Sequence, residues 1–305
     1  MTTVSIHAGR WHLDGQVTYP GAPAEGLLMN ARMVNATFED LTRPDFDPEA
    51  NTSRFVAQIA DYVAHGLRAF TLCLQGGSTG YEGAQNSAFT ADGDLRSSYL
   101  RRVERALRAC DEAGAAVILG LFYQRQSGVL RDEAAIRAGV VNAARWLGTL
   151  GLQNVMVEIA NEFGHPGFRH AILKDPAGQA ELIRLAKEAA PQLLVSSSGL
   201  GHGRLQPAVA EAADFMLIHY NETPLAEIPE RIAALRGYGK PIVCNEDVKV
   251  GAEGARAADV SVQEGASWGL MLVDINQHYP FRFDGHRDDP IVYARLRALT
   301  TPAGA

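Results

Sequence analysis

Short apolar, β-branched runs recur along the chain, each followed by polar residues and then by a segment with helical spacing. They are Leu27 to Val34, Ala69 to Leu74, Ala116 to Phe122, Asn154 to Ile159, Leu193 to Ser196, Phe215 to Ile218, Pro241 to Cys244 and Ser267 to Val273. Their ends fall roughly 20 to 50 residues apart, the interval that strand–helix units require. Between them, helix punctuation repeats. Asn51 or Thr52 is placed to cap a helix carrying Phe55, Ile59 and Val63 on one face, with Gly66 beyond it. Ser97 or Ser98 opens the next, with Leu100, Val103 and Leu107 and then Gly114. Asp132 opens a third through Ile136, Val140 and Trp146, and Pro176 starts a fourth that ends before Pro191. Eight strand–helix units predict a (β/α)8 TIM barrel, an α/β fold. A doubly wound open sheet would carry a glycine-rich phosphate turn after its first strand, and Val34 is followed by NATFED instead.

Ahead of the first barrel strand, Asp14-Gly15 between apolar flanks marks a two-residue turn, so Trp11 to Thr18 reads as a short N-terminal β-hairpin across the N-terminal mouth. Trp11 fits packing within that hairpin. The chain is expected to form one domain over 1–305, with the hairpin and lead-in in 1–26 and the barrel in 27–300.

Composition changes this picture little. The 305 residues are 47% hydrophobic, and the net charge is −7 without a Lys/Arg cluster, which argues against a nucleic-acid partner. The chain has no apolar run long enough to span a membrane. The first residues have neither a basic nor an apolar leader segment, so the expected location is cytoplasmic. The cysteines Cys73, Cys110 and Cys244 each sit in an apolar run, as core residues of a reduced protein do.

Barrel chemistry belongs at the C-terminal strand ends, where the loops converge. These ends carry Asn35, Gln75, Tyr123, Arg125, Asn161, Glu162, His219, Tyr220, Glu246 and Trp268, a set of carboxylates, amides and aromatics with few lysines. That set suits a neutral, polyhydroxylated carbohydrate better than a phosphate. Glu162 after the fourth strand and Glu246 after the seventh can face each other across the mouth, as the two carboxyls of glycosidic cleavage must. Glu158 shares strand parity with Glu162 and should point into the barrel beneath the site. There a buried carboxylate needs a partner, such as Arg32 on the first strand. The Gly76 to Gly83 stretch lacks the GK[ST] of a phosphate loop and reads as a long loop over the site.

Glu158 to Glu162 (Glu-Ile-Ala-Asn-Glu), His219-Tyr220, Lys240 to Glu246 and Trp268 resemble clan A of the glycoside hydrolases, with the cellulase-like family 5 closest. The resemblance implies retaining hydrolysis of β-linked glycosides. In that reading Glu162 is the acid/base and Glu246 the nucleophile. Asn161 bonds the sugar 2-hydroxyl, His219 or Tyr220 orients the nucleophile, and Trp268 floors the reacting subsite. Asn35, Gln75, Tyr123 and Arg125 are candidate sugar contacts. Phe163 stands where the family commonly has proline. Gln75-Gly76-Gly77 stands near the position of its usual arginine, for which Arg32 is the replacement. No cofactor or metal is expected. Glu162 is expected to be raised in pKa by apolar or like-charge surroundings, and Glu246 to be held ionised by bonds from Tyr220 or Arg32. The competing readings are an inactive carbohydrate-binding barrel and a metal-dependent sugar isomerase or hydrolase. The second would call for several converging His, Asp and Glu ligands.

Overall fold

In the computed structural model, which describes residues 1–304, all eight barrel strands form where the apolar runs predict them; position 305, the last of the expected domain, lies outside the described residues. A three-stranded antiparallel sheet precedes the barrel: β1 (Val4–His7), β2 (Arg10–Leu13) and β3 (Gln16–Val17). The turn at Asp14-Gly15 is as expected, with φ of +53° and +75°. The extra strand β1 joins through Ala8-Gly9, whose φ values of +50° and +72° repeat the same left-handed turn.

The barrel strands are β4 (Asn30–Arg32), β5 (Ala69–Cys73), β6 (Ala116–Phe122), β7 (Val155–Ala160), β8 (Val195–Ser196), β9 (Met216–His219), β10 (Ile242–Glu246) and β11 (Gly269–Leu270). Six lie parallel in the order β11-β4-β5-β6-β7-β8, and β9 pairs with β10. Bridges at Ser198–Leu217, Val243–Ser267 and Asp247–Leu270 close the ring. The helices α1 (Pro48–Ala64), α2 (Ser97–Glu112), α3 (Glu133–Thr149), α4 (Pro176–Ala189), α5 (Pro207–Ala212), α6 (Ile228–Arg236), α7 (Gly251–Gln263) and α8 (Pro290–Thr300) form the outer layer.

The first helix starts one turn earlier than its expected cap. The Asp47 side chain accepts from the amides of Glu49 and Ala50, and Pro48 supplies a preset φ at the first helical position. Asn51 and Thr52 are instead buried and donate back to the carbonyls of Asn35 and Ala36, tying α1 to the loop after β4. Asp132 and Asp175 cap α3 and α4.

Inside the ring, the N-terminal half is apolar. Leu28, Ala69, Ala116, Ile118, Met156, Phe215, Leu217 and Val243 pack around Trp11, which stands edge-on to Phe215 at 5.5 Å. The small sheet therefore plugs the N-terminal mouth with its tryptophan. Above this layer the interior turns polar, with Asn30, Thr71, Glu158 and Asn245 buried inside the strands. That gradient places the charged groups at the C-terminal mouth.

Candidate active site

Glu162 stands two residues beyond β7 in a left-handed conformation (φ +51°), which a non-glycine residue holds only when its surroundings fix it. The Ser198 hydroxyl, after β8, accepts from the Glu162 amide at 2.9 Å, and the Ser198 carbonyl accepts from Phe163 at 3.0 Å. Glu246 ends β10 at a bulge: Cys244 pairs with Ile218 and Glu246 with His219, so Asn245 is the extra residue. The bulge lets Asn245 reach inward to Thr71 and Glu158 while its neighbour Glu246 also meets inward groups, which strict alternation would forbid.

The two carboxylates meet over His219. Its Nδ1 lies 3.2 Å from Glu162 Oε1 and 3.5 Å from Glu246 Oε2. One oxygen of each glutamate and a ring nitrogen of His219 all lie within 4.8 Å of one another. Arg32 Nε forms an ion pair with Glu246 Oε2 at 2.9 Å, and its Nη2 donates to Asn161 Oδ1 at 2.7 Å. Asn221 donates to the other Glu246 oxygen. Asn161 in turn donates to Gln124 Oε1 at 3.2 Å. His219 is fully buried, and the side chains of Glu246 and Glu162 are 6% and 14% exposed, so both carboxylates sit in a narrower recess than an open mouth.

Burial opposes charge on His219, but the carboxylates of Glu246 and Glu162 overcome it and raise its pKa. Burial would likewise raise Glu162, but the hydrogen bond and charge of His219, with Arg32 behind it, hold it below the usual carboxylate range. This reverses the expected direction for Glu162, because a cationic imidazole, not an apolar wall, is its nearest neighbour. Glu158 lies beneath, buried, with its pKa raised by burial against the opposing charges of Arg32 and His219. It has the inward placement expected of it but is not paired with Arg32, whose guanidinium is engaged by Glu246. Asn245 donates to its Oε2 at 3.4 Å. Arg32 therefore supports Glu246 and Asn161 directly.

Other sequence candidates are placed elsewhere. Trp268 is fully buried among core side chains and donates to Asp247 at 2.8 Å, so it is no sugar floor. The reason lies next door. A Cβ on Gly269 would fall 2.1 Å from Asn30 Oδ1, so Gly269 faces the interior and Trp268 the helical layer. Tyr220 is also buried in the core, and its hydroxyl makes no bond to Glu246. Burial first, then the nearby Cys244 and Asp247, push its pKa well up. Asn221, one residue on, takes the contact expected of Tyr220.

Asn35 is buried as a loop clamp: it donates to the carbonyls of Ser78 and Gln277 and accepts from the Gly77 amide. Gln75 is buried likewise, between Ser87, the Gln126 carbonyl and the Tyr123 amide. Tyr123 packs with Val34 and Cys73, its pKa raised by burial and by the charge of Glu246. Arg125 is exposed and lines a cavity of about 830 Å³ together with Tyr81, Asn86 and Gln126; the Gly76–Gly83 loop forms part of its wall. Neither glutamate lines that cavity. Asn221, Gln124 and Ser198 are the contacts that residue type alone did not single out. Their position just past β9, β6 and β8 is the signal that finds them.

Glu162, His219 and Glu246 offer three donor atoms close enough for a metal ion. The guanidinium of Arg32 already places a fixed positive charge at Glu246, which repels a cation there.

The fold has many solved counterparts. An endo-1,4-β-mannanase from Eisenia fetida superposes with a TM-score of 0.61 at 13% identity, covering 98% of this chain and 96% of that one. A broad-specificity endoglucanase from Clostridium longisporum gives 0.63 at 10% identity, covering 93% and 98%. A Bacteroides vulgatus protein regarded as a glycoside hydrolase gives 0.65 at 12% identity; it covers 98% of this chain, which spans 58% of that longer protein. No family model matches the sequence, and no curated protein matches it. The chain thus has the (β/α)8 fold seen in family 5 glycoside hydrolases.

Proposed function

We propose that this protein is a retaining glycoside hydrolase that cleaves β-linked glycosides or oligosaccharides, with Glu246 as nucleophile and Glu162 as acid/base. One observation carries the reading: the two carboxylates stand at the C-terminal mouth with oxygens within 4.8 Å of each other across His219. Retaining pairs sit about 5–5.5 Å apart, whereas inverting pairs need about 6.5–9.5 Å to admit a water.

The surroundings divide the roles. Glu246 has one oxygen against Arg32 and the other bonded by Asn221, which fixes its aim. Glu162 is the more exposed of the two and exchanges protons through His219. In the free protein the raised pKa of His219 and the lowered pKa of Glu162 favour the proton on the imidazole. A bound sugar excludes water from Glu162 and favours its protonated form, so the proton passes from Nδ1 to Oε1 along the 3.2 Å contact. Glu246 then attacks the anomeric carbon while Glu162 protonates the departing oxygen. In the second half Glu162 takes a proton from the water that displaces Glu246. This chemistry requires no cofactor. The cavity beside Arg125 gives room for further sugar units. The mannanase and endoglucanase among the structural counterparts make β-mannosides and β-glucosides the first substrates to test.

Exchange of each glutamate for alanine tests the division. Glu246→Ala should abolish turnover, and added azide should restore a glycosyl azide of inverted configuration. Glu162→Ala should lose about 10²–10⁴-fold on unactivated substrates but keep glycosylation from good leaving groups, with azide giving a retained product. Near wild-type turnover of an unactivated disaccharide by either folded variant contradicts the assignment.

A further inference from the structure

Three metal-ligating side chains meet on the helical layer, away from the strand ends. Asp61 lies in the last turn of α1, and His65, four residues on, caps the helix end. His286 comes from the turn ahead of α8, directly after Gly285. That glycine is required, since its φ is +68° and a Cβ would fall 2.1 Å from Asp61 Oδ2. The close approach brings the His286 amide to Asp61 Oδ2 at 2.6 Å and its Nδ1 to the two carboxylate oxygens at 2.9 and 3.1 Å. The rings of His65 and His286 stack face to face, centroids 4.0 Å apart and planes 16° from parallel. A carboxylate oxygen and one nitrogen from each ring lie within 4.8 Å of one another. The Asp61, His65 and His286 side chains are 35%, 19% and 37% exposed, open to an ion from solvent.

We propose that Asp61, His65 and His286 form a zinc-binding site, with water as the fourth ligand. Two imidazoles and one carboxylate are a donor set that suits zinc, whereas calcium and magnesium call for oxygen ligands throughout. Bond lengths of about 2.0–2.1 Å in a tetrahedron put the ligand atoms roughly 3.3 Å apart. The Asp61–His286 contacts already meet this, and the His65 ring, with a nitrogen within 4.8 Å of the other two ligand atoms, has to close on the ion. His65 Nδ1 donates to the Asp61 main-chain carbonyl at 2.8 Å, a bond that fixes the tautomer and leaves Nε2 free for the metal. The ion acts on the fold rather than on the glutamates. Helix α1 follows β4 and α8 follows β11, and these two strands pair where the end of the ring meets its beginning. Zinc would staple that seam.

Titration of zinc chloride into the metal-free full-length protein, followed by calorimetry and thermal melting, tests this. One equivalent should bind and raise the melting temperature, as a ligand specific to the folded state must. His286→Gln and His65→Gln should each lose both effects. His12→Gln should keep them, although His12 and His7 also meet, at 5.0 Å. Melting without zinc identifies which variants fold, and either folded variant at 65 or 286 decides the matter. Absence of saturable binding, or one equivalent persisting in such a variant, overturns the proposal.

Discussion

At the mouth of the barrel, His219 touches both glutamates. Its pKa is raised above the ordinary histidine value of 6.5, with burial opposing and Glu246 and Glu162 prevailing. Glu162 is lowered from 4.5 by the same contact. The pair therefore keeps its proton to a higher pH than a free histidine would, and the basic limb of kcat/KM should be displaced in that direction. In His219→Asn the largest influence lowering Glu162 is gone, and burial raises it against the weaker charges of Arg32 and His165. The basic limb should then move to lower pH, with the fold retained. A pH–rate profile with the limb unmoved would show that His219 does not hold the acid's proton. Both glutamates were legible in the sequence because strand ends in this fold converge. The histidine's grip on both was not, because it depends on side-chain directions at two separate strands and on the bulge before Glu246.

Among the elements, the N-terminal sheet has the clearest separable role. Trp11 fills the N-terminal end of the ring against Phe215 and carries no contact to the glutamates. Trp11→Ala should cost about 3–5 kcal/mol of stability in a denaturant titration, as large-to-small core changes do. It should leave KM unaltered, and a changed KM would mean that the plug shapes the site. The Asp14-Gly15 turn was readable from its residue types, but the Ala8-Gly9 turn was not, since alanine is a poor marker of a positive φ. Trp268 and Tyr220 show a second limit. The family resemblance implied a sugar floor for Trp268 and a nucleophile-orienting role for Tyr220, whereas the packing of Gly269 against Asn30 and the bonding of Trp268 to Asp247 turn the tryptophan outward into the core. Short strands such as β11, with two residues, give too little alternation for that direction to be read in advance.

For the whole molecule, strand–helix periodicity carried the fold because each parallel, doubly covered strand reads as a continuous apolar run. Closure of the ring was less visible, resting on single bridges at Ser198–Leu217, Val243–Ser267 and Asp247–Leu270 and on the two-residue pairing of β11 with β4, distant in sequence. That closure is what brings β7 and β10 to opposite sides of His219, and it turns two glutamates 84 residues apart into neighbours across one imidazole. The central claim is that Glu246 forms a covalent bond to the sugar. Its most direct test is incubation of the wild-type protein with a panel of 2-deoxy-2-fluoro-β-glycosyl fluorides of the gluco, manno, galacto and xylo series. Peptide mass spectrometry then locates any glycosyl adduct. The account predicts inactivation by at least one reagent, with the added mass on Glu246 and none in Glu246→Gln. An adduct on another residue, or hydrolysis with inverted configuration and no adduct, would contradict it.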